Sequence, residues 1–209
     1  LLAPLIRRLE SVGEWPKERP EYWALRAARN LPLPGGHWDR GLISMFLLNL
    51  VRLAPGEGTF QPAGTLHAYL EGANVELMAS SDNVLRGGLT PKHVDVAELL
   101  RVVRFESGAP PILTGKPVSA VEAVFETPAE EFELSRIVLA GGQSCELPEA
   151  TGAECLLVLE GAAEVGGGAV TLHLARGQSA LVPAGAALTI TGTGPSTVVF
   201  RARVAPGSR

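Results

Sequence analysis

The chain has 209 residues, 46% of them apolar, and a formal net charge of −4, enough to bury a substantial core in one or two domains. No apolar run approaches the ~20 residues that span a bilayer, and the N-terminus lacks a basic-then-apolar secretory pattern, so a soluble, cytoplasmic protein is expected. With no basic run there is no electrostatic footprint for nucleic acid.

Gly 24 and Pro 16 against 5% aromatic residues suit many short strands joined by tight turns. Residues 1 to 52 hold eight Lys/Arg against five Asp/Glu, and residues 53 to 130 hold five against ten. An anionic ligand in that acidic middle has to be met by a few placed cations. The sequence starts at Leu1 in what already reads as helix interior, which suggests the C-terminal part of a larger protein.

In chain order, Leu2, Leu5, Ile6, Leu9 and Val12 share one helical face over 2 to 12, stopped by Gly13. A second helix is predicted over 20 to 31 with Pro20 near its first turn, followed by a Pro- and Gly-rich loop to Gly36. Residues 43 to 53 are apolar and read as a strand or a strand-flanked turn. Short strands are predicted at 59 to 61, 67 to 70 and 75 to 79, the first two flanking a Pro62-Ala63-Gly64 corner. Ser81-Asp82-Asn83 is a turn signal. Thr90-Pro91 reads as the start of a helix over about 91 to 104, and the proline-rich 107 to 120 is a connector.

From Phe132 onward, apolar runs at 132–140, 155–160, 169–174, 180–182, 187–191 and 197–204 alternate with turn signals, as in sandwiches and barrels. Gly166-Gly167-Gly168 is expected to form a hairpin between the second and third runs. His173 alternates with Val170, Leu172 and Leu174 and is expected to face solvent. Cys145 and Cys155, without CxxC spacing, read as reduced thiols. Cys155, which opens the run CLLVL, is expected to be buried.

Gly56, Pro62, Gly64 and His67 are matched by Gly177, Pro183, Gly185 and Leu188, each 121 residues on. A fixed offset at four positions implies two copies of one β-unit, with leucine in the second where the first has histidine. His67 is therefore a candidate metal ligand, although one histidine never makes a zinc site alone, and a hydrogen-bonded core histidine is the alternative. Glu76 is either a proton-transfer group or a strand-end salt-bridge residue. Arg86 and Lys92 are anion-binding groups or ordinary surface cations. Glu57 and Glu71 flank the histidine without a clear facing, and Asp82 and Asn83 are assigned to turn building.

The spacing Gly56-x5-Pro62-x-Gly64-x2-His67 resembles the second motif of the cupins, metal-binding jelly-roll barrels, departing from it at Glu71, where asparagine is usual. The adjoining runs FLLNLVRLAPGEGTFQPAGTLH and AYLEGANVELMASSDNVLRGGLTPK closely resemble type I phosphomannose isomerases, from about residue 39 to 100 and more loosely beyond. That resemblance implies a mainly β fold of tandem cupin barrels, the first incomplete, behind an N-terminal helical segment. The implied divisions are 1–40, 41–120 and 121–209.

It also implies a zinc-dependent interconversion of mannose 6-phosphate and fructose 6-phosphate through an enediol. His67 would be a zinc ligand, Glu76 and Arg86 catalytic groups, and Lys92 and Tyr69 substrate-binding groups. A carboxylate in a partly desolvated pocket suits proton transfer, Arg86 a developing oxyanion, and Lys92 near a helix start a phosphate. The family's other ligands, a glutamine, a histidine and a glutamate, come from a region ahead of the helical segment. The 209 residues alone are therefore expected to be inactive.

His37, His93 and His173 do not sit in replacing motifs. In the second barrel, apolar residues over 152 to 161 and Leu188 stand where ligands would be, so no metal is expected there. The partner implied is a phosphorylated hexose, with neither nucleic acid nor membrane and no particular oligomeric state. The alternative function is a non-catalytic cupin that binds a sugar or sugar phosphate. An iron-dependent cupin dioxygenase is disfavoured for want of further histidines.

Overall fold

The computed structural model describes residues 2–81, 83–168 and 170–205. The chain divides into two compact units. Leu1–Leu53, Gln61–Asn74 and Ser81–Pro111 form the first; Ala54–Phe60, Val75–Ser80 and Ile112–Arg209 form the second.

In the first unit the apolar spacing folds as it predicts, into helices α1 (Leu2–Val12) and α2 (Pro20–Asn30). Pro20 opens α2, where its missing N–H has no intrahelical partner to lose. Ile6 and Leu9 of α1 join Ala24, Leu25 and Ala28 of α2 in one buried cluster that includes Leu42. Trp15 packs against that cluster and donates its indole N–H to the Leu9 carbonyl at 3.0 Å. Beyond α2, strands β1 (Pro32–Leu33) and β2 (His37–Trp38) pair as a short antiparallel hairpin.

Residues 43–53, expected as a strand or a strand-flanked turn, instead close local hydrogen bonds without a ladder. A 3-10 turn over Arg40–Ile43 runs into the single-turn helix α3 (Ser44–Leu47), and the backbone then runs without a ladder to Leu53. The strands expected at 59–61, 67–70 and 75–79 are likewise irregular chain, with one isolated bridge nearby, Gly58 to Leu113. β-structure is non-local: alternation makes a segment ready for a sheet, but without a partner strand its amides turn to water. Leu47, Tyr69 and Met78 are accordingly exposed.

The helix expected from 91 begins later, as α4 (Val96–Val102). The Thr90 hydroxyl accepts from the Lys92 amide at 3.2 Å, making a local turn. Asp95 is the true cap, accepting from the Glu98 amide at 3.0 Å. Asp82 of the expected 81–83 turn lies outside the described residues.

The second unit carries the strands β3 (Lys116–Pro117), β4 (Glu122–Phe125), β5 (Glu133–Ala140), β6 (Ser144–Leu147) and β7 (Glu154–Glu160). It continues with β8 (Ala162–Gly167), β9 (Val170–Ala175), β10 (Ser179–Val182), β11 (Leu188–Gly192) and β12 (Ser196–Arg203). They form two antiparallel sheets, β10-β7-β12-β5-β4-β3 and β6-β11-β8-β9. Ile137, Leu156, Val158 and Val199 from the first meet Leu147, Val165, Leu174 and Ile190 from the second in one core. All six predicted runs become strands. β3, within the expected connector, and β4, β6 and β8 were not foreseen; β8, AAEVGG, buries Ala163 and Val165 but its small residues hide the alternation. The glycine hairpin accordingly joins β8 to β9, with Gly168 at φ +59°, rather than the runs at 155–160 and 169–174.

Cys155 is exposed, not buried. β7 turns Glu154, Leu156 and Val158 inward, and in a strand a one-residue shift moves every side chain to the other face. Glu154 can face inward because Arg201, 2% exposed, donates to both its carboxylate oxygens at 2.7 and 2.8 Å. Glu122 lies 3.4 Å from the same guanidinium and accepts from the Ser135 hydroxyl at 2.6 Å. Burial alone would lower the Arg201 pKa; the hydrogen bonds and charges of Glu154 and Glu122 outweigh it and hold the guanidinium above its ordinary value. Cys145 is buried, and that burial, aided by the Glu122 charge, pushes its thiol up and away from reactivity.

Candidate active site

His67 is delivered by a turn. The Thr65 amide donates to the Pro62 carbonyl at 3.2 Å, with Gly64 at φ +81°. The Gly64 carbonyl accepts from the Arg104 amide at 2.9 Å, and a Cβ at Gly64 would lie 2.7 Å from the Val102 carbonyl oxygen. Only glycine allows both the left-handed backbone and this close approach. Just past the corner, His67 Nδ1 lies 3.0 Å from the Thr65 carbonyl oxygen. A carbonyl only accepts, so in this contact Nδ1 is the donor and Nε2 is the ring nitrogen turned away from it. The His67 ring is exposed, with the Tyr69 ring edge-on at 6.0 Å between centroids.

Arg86 and Lys92 follow on the same unit, both exposed, and among the described residues neither pairs with a carboxylate. A Cβ at Gly87 would come 3.3 Å from Leu66 Cδ2, so the neighbour of Arg86 lies against the neighbour of His67. Lys92 does not sit at a helix start: it precedes the Asp95 cap of α4 by three residues, so the expected help from helix amides is absent. Glu76 is exposed and belongs to the second unit.

Glu71 accepts from Lys17 at 2.5 Å and also pairs with Arg26. These hydrogen bonds, first to Lys17 and then to Arg26, hold its carboxyl below the usual range. Glu57 closes a turn by accepting from the Ala54 amide at 2.7 Å. His173 is exposed, as expected, beside Glu164 at 3.3 Å.

Among the described residues no three His, Cys, Asp or Glu side chains come together to hold a metal. His67 fits a metal as a single ligand: its Nδ1 contacts a backbone carbonyl in the way a ligating histidine is usually oriented. The sequence reading missed Asp39, half-buried before the 3-10 turn, which accepts from the Gly41 amide at 2.7 Å and the Leu89 amide at 2.9 Å. Its position ahead of Gly41 could have marked it as a cap; its second bond could not have been read locally.

Fold and site together define an antiparallel β protein with N-terminal helices that presents an exposed histidine and two exposed cations, Arg86 and Lys92, that pair with no carboxylate among the described residues. No family model matches the chain. Mannose-6-phosphate isomerase 2 of Arabidopsis thaliana is 39% identical over 166 residues, covering 79% of this chain and 38% of that protein. Mannose-6-phosphate isomerase of Escherichia coli is 40% identical over 164 residues, covering 78% and 41%. The crystal structure of mannose 6-phosphate isomerase from Salmonella typhimurium, bound to fructose 6-phosphate and zinc, superposes with a TM-score of 0.64 at 32% identity. That superposition covers 97% of this chain and 54% of the other. The chain is a homologue of the phosphomannose isomerase family, and it spans about two fifths of the length of the curated relatives it matches.

Proposed function

We propose that the chain is part of a zinc-dependent, cytoplasmic isomerase that interconverts mannose 6-phosphate and fructose 6-phosphate. The observation that supports the reading is the His67 ring, held by Nδ1 on the Thr65 carbonyl, in a chain related to these isomerases along more than three quarters of its length. Two cupin barrels organise it in this reading. The eight strands β5 to β12, split between two facing sheets, are the complete one, over about 121–209. Residues 41–120 contribute to the other, behind a helical segment over 1–40.

His67 would supply one zinc ligand, the others coming from outside these residues. Zinc, when bound, supplies Lewis acidity toward the sugar's carbonyl and hydroxyl oxygens. Arg86 presents a planar fork to an oxyanion or phosphate, Lys92 a point charge to the phosphate, Tyr69 a ring beside the ligating imidazole, and Glu76 a carboxylate for proton transfer.

The test uses the longest natural form of the protein, with metal analysis and a mannose 6-phosphate assay. One zinc per chain and turnover are expected, both lost in His67→Ala; a variant with normal zinc and rate overturns the assignment. Arg86→Ala should lower the rate by about a hundredfold or more if it meets developing charge. Binding of mannose 6-phosphate without turnover would instead support a sugar-phosphate-binding module.

A further inference from the structure

The segment from Arg86 to Lys92 bears both candidate anion-binding cations, yet it makes no ladder and no helix. What fixes it within the first unit lies at its middle. Asp39 bridges two loops, taking the Gly41 amide on Oδ1 and the Leu89 amide, fifty positions away, on Oδ2. Leu89 is the one non-glycine with positive φ among the described residues, at +53°, a conformation that costs a leucine energy and persists only where surroundings enforce it. Its side chain packs on the helical cluster of Ile6, Leu9 and Leu42. There is no slack: a Cβ at Gly88 would lie 3.2 Å from Asp39 Oδ1 and 3.3 Å from Gly41 Cα, and one at Gly41 would lie 3.0 Å from Asp39 Oδ1.

We infer that Asp39 is a positioning residue for substrate binding: by holding the Leu89 amide it fixes the loop from which Arg86 and Lys92 reach an anionic substrate. The inference rests on the isomerase reading for the substrate's identity, but the clasp itself requires only an anion that both cations can meet. An aspartate is needed because both bonds are accepted. Asparagine offers one oxygen and one N–H₂, so in Asp39→Asn one backbone N–H faces a donor and its bond is lost.

The test is made on the longest natural form, zinc-loaded. Asp39→Asn should raise KM for mannose 6-phosphate by about tenfold, with a smaller change in kcat and unchanged zinc content, since misplacing a binding group by an ångström is enough to matter. Gly88→Ala, which crowds the clasp without removing an acceptor, should do the same. Ser44→Ala is the control. It deletes the 2.6 Å bond to the Gly41 carbonyl and loosens the same turn without touching the Leu89 contact, so KM should not move. Exchange of the Leu89 amide should quicken in Asp39→Asn and stay slow in Ser44→Ala.

Unchanged KM and slow Leu89 exchange in Asp39→Asn overturn the proposal, as does a loss of activity that merely tracks loss of folded protein or zinc and recurs in Ser44→Ala. If the parent protein shows no isomerase activity, the functional reading fails separately. Inorganic phosphate then serves as the probe, and the clasp stands only if Asp39→Asn weakens its binding about tenfold relative to Ser44→Ala.

Discussion

The two copies of the repeated β-unit begin alike and end differently. In the first, the Glu57 amide donates to the Ala54 carbonyl and the Glu57 side chain accepts from the Ala54 amide; in the second, Gln178 and Ala175 make the same two bonds. Thr65 closes on Pro62 as Ala186 closes on Pro183, and Gly64 and Gly185 share φ +81°. Past that corner the copies part. Leu188 starts β11, pairs with Leu147 of β6 and packs on the core. His67 starts no strand and its ring is exposed. Turn geometry needs only a few consecutive residues, whereas a strand needs a neighbour, so one sequence pattern gives identical turns and unlike continuations.

The sharpest way to break the comparison is to remove what lets the second copy cohere. Arg201→Ala would leave Glu154 buried without its partner and should destabilise the chain by about 3–5 kcal/mol, read as a shift of the denaturant midpoint. Replacing Arg201 and Glu154 together by apolar residues of similar volume should recover most of that loss. The paired glycines come next. Gly64→Ala and Gly185→Ala each force alanine into left-handed backbone at about 1–2 kcal/mol. Only Gly64→Ala also drives a Cβ to 2.7 Å from a backbone carbonyl, whereas at Gly185 the nearest atom would be a glutamate oxygen at 3.8 Å. Gly64→Ala should therefore be the worse by a further ~1–3 kcal/mol of overpacking; equal effects would show that the corner adjusts freely. Glu57→Ala and Gln178→Ala each delete one turn-closing bond, and both should cost about 0.5–1.5 kcal/mol. Unequal losses in thermal scans would show that the copies differ before the corner.

These contrasts also mark how far the sequence could be read. The helices over 2–12 and 20–30 were legible because Ile6, Leu9, Leu25 and Ala28 repeat at helical spacing within one segment. The glycine and proline pairs 121 residues apart gave the turns, and the relationship to the isomerases was legible in the runs around His67 and Arg86. Most failures came where the deciding partner is remote. Glu154 faces inward because of a residue 47 positions on, so Cys155 was placed on the wrong side. One failure was local: Thr90-Pro91 looked like a helix start, although Asp95 with Glu98 three residues on was a readable cap signal that was passed over. Asp39 and Glu71 acquire their roles from partners 50 and 54 positions distant, beyond the reach of any spacing rule.

The smallest effect expected is electrostatic, and it separates the exposed ion cluster of the first unit from the buried one of the second. Glu71 is held low, chiefly by its hydrogen bond to Lys17 and then to Arg26. Its contribution is therefore complete above its ordinary value of 4.5 and is lost as pH falls through the lower folded value. Lys17 is raised, first by its hydrogen bond to Glu71, so its contribution is complete below 10.5 and is lost as pH rises through the higher folded value. Lys17 and Glu71 are both largely solvated, and salt screens such pairs. Titrating toward pH 3 should shift the Lys17 and Arg26 side-chain resonances, and Glu71→Gln should abolish that response. Raising salt should mimic the acid effect on Lys17 and Arg26 while leaving Arg201 unmoved, because its guanidinium is 2% exposed and out of reach of counterions.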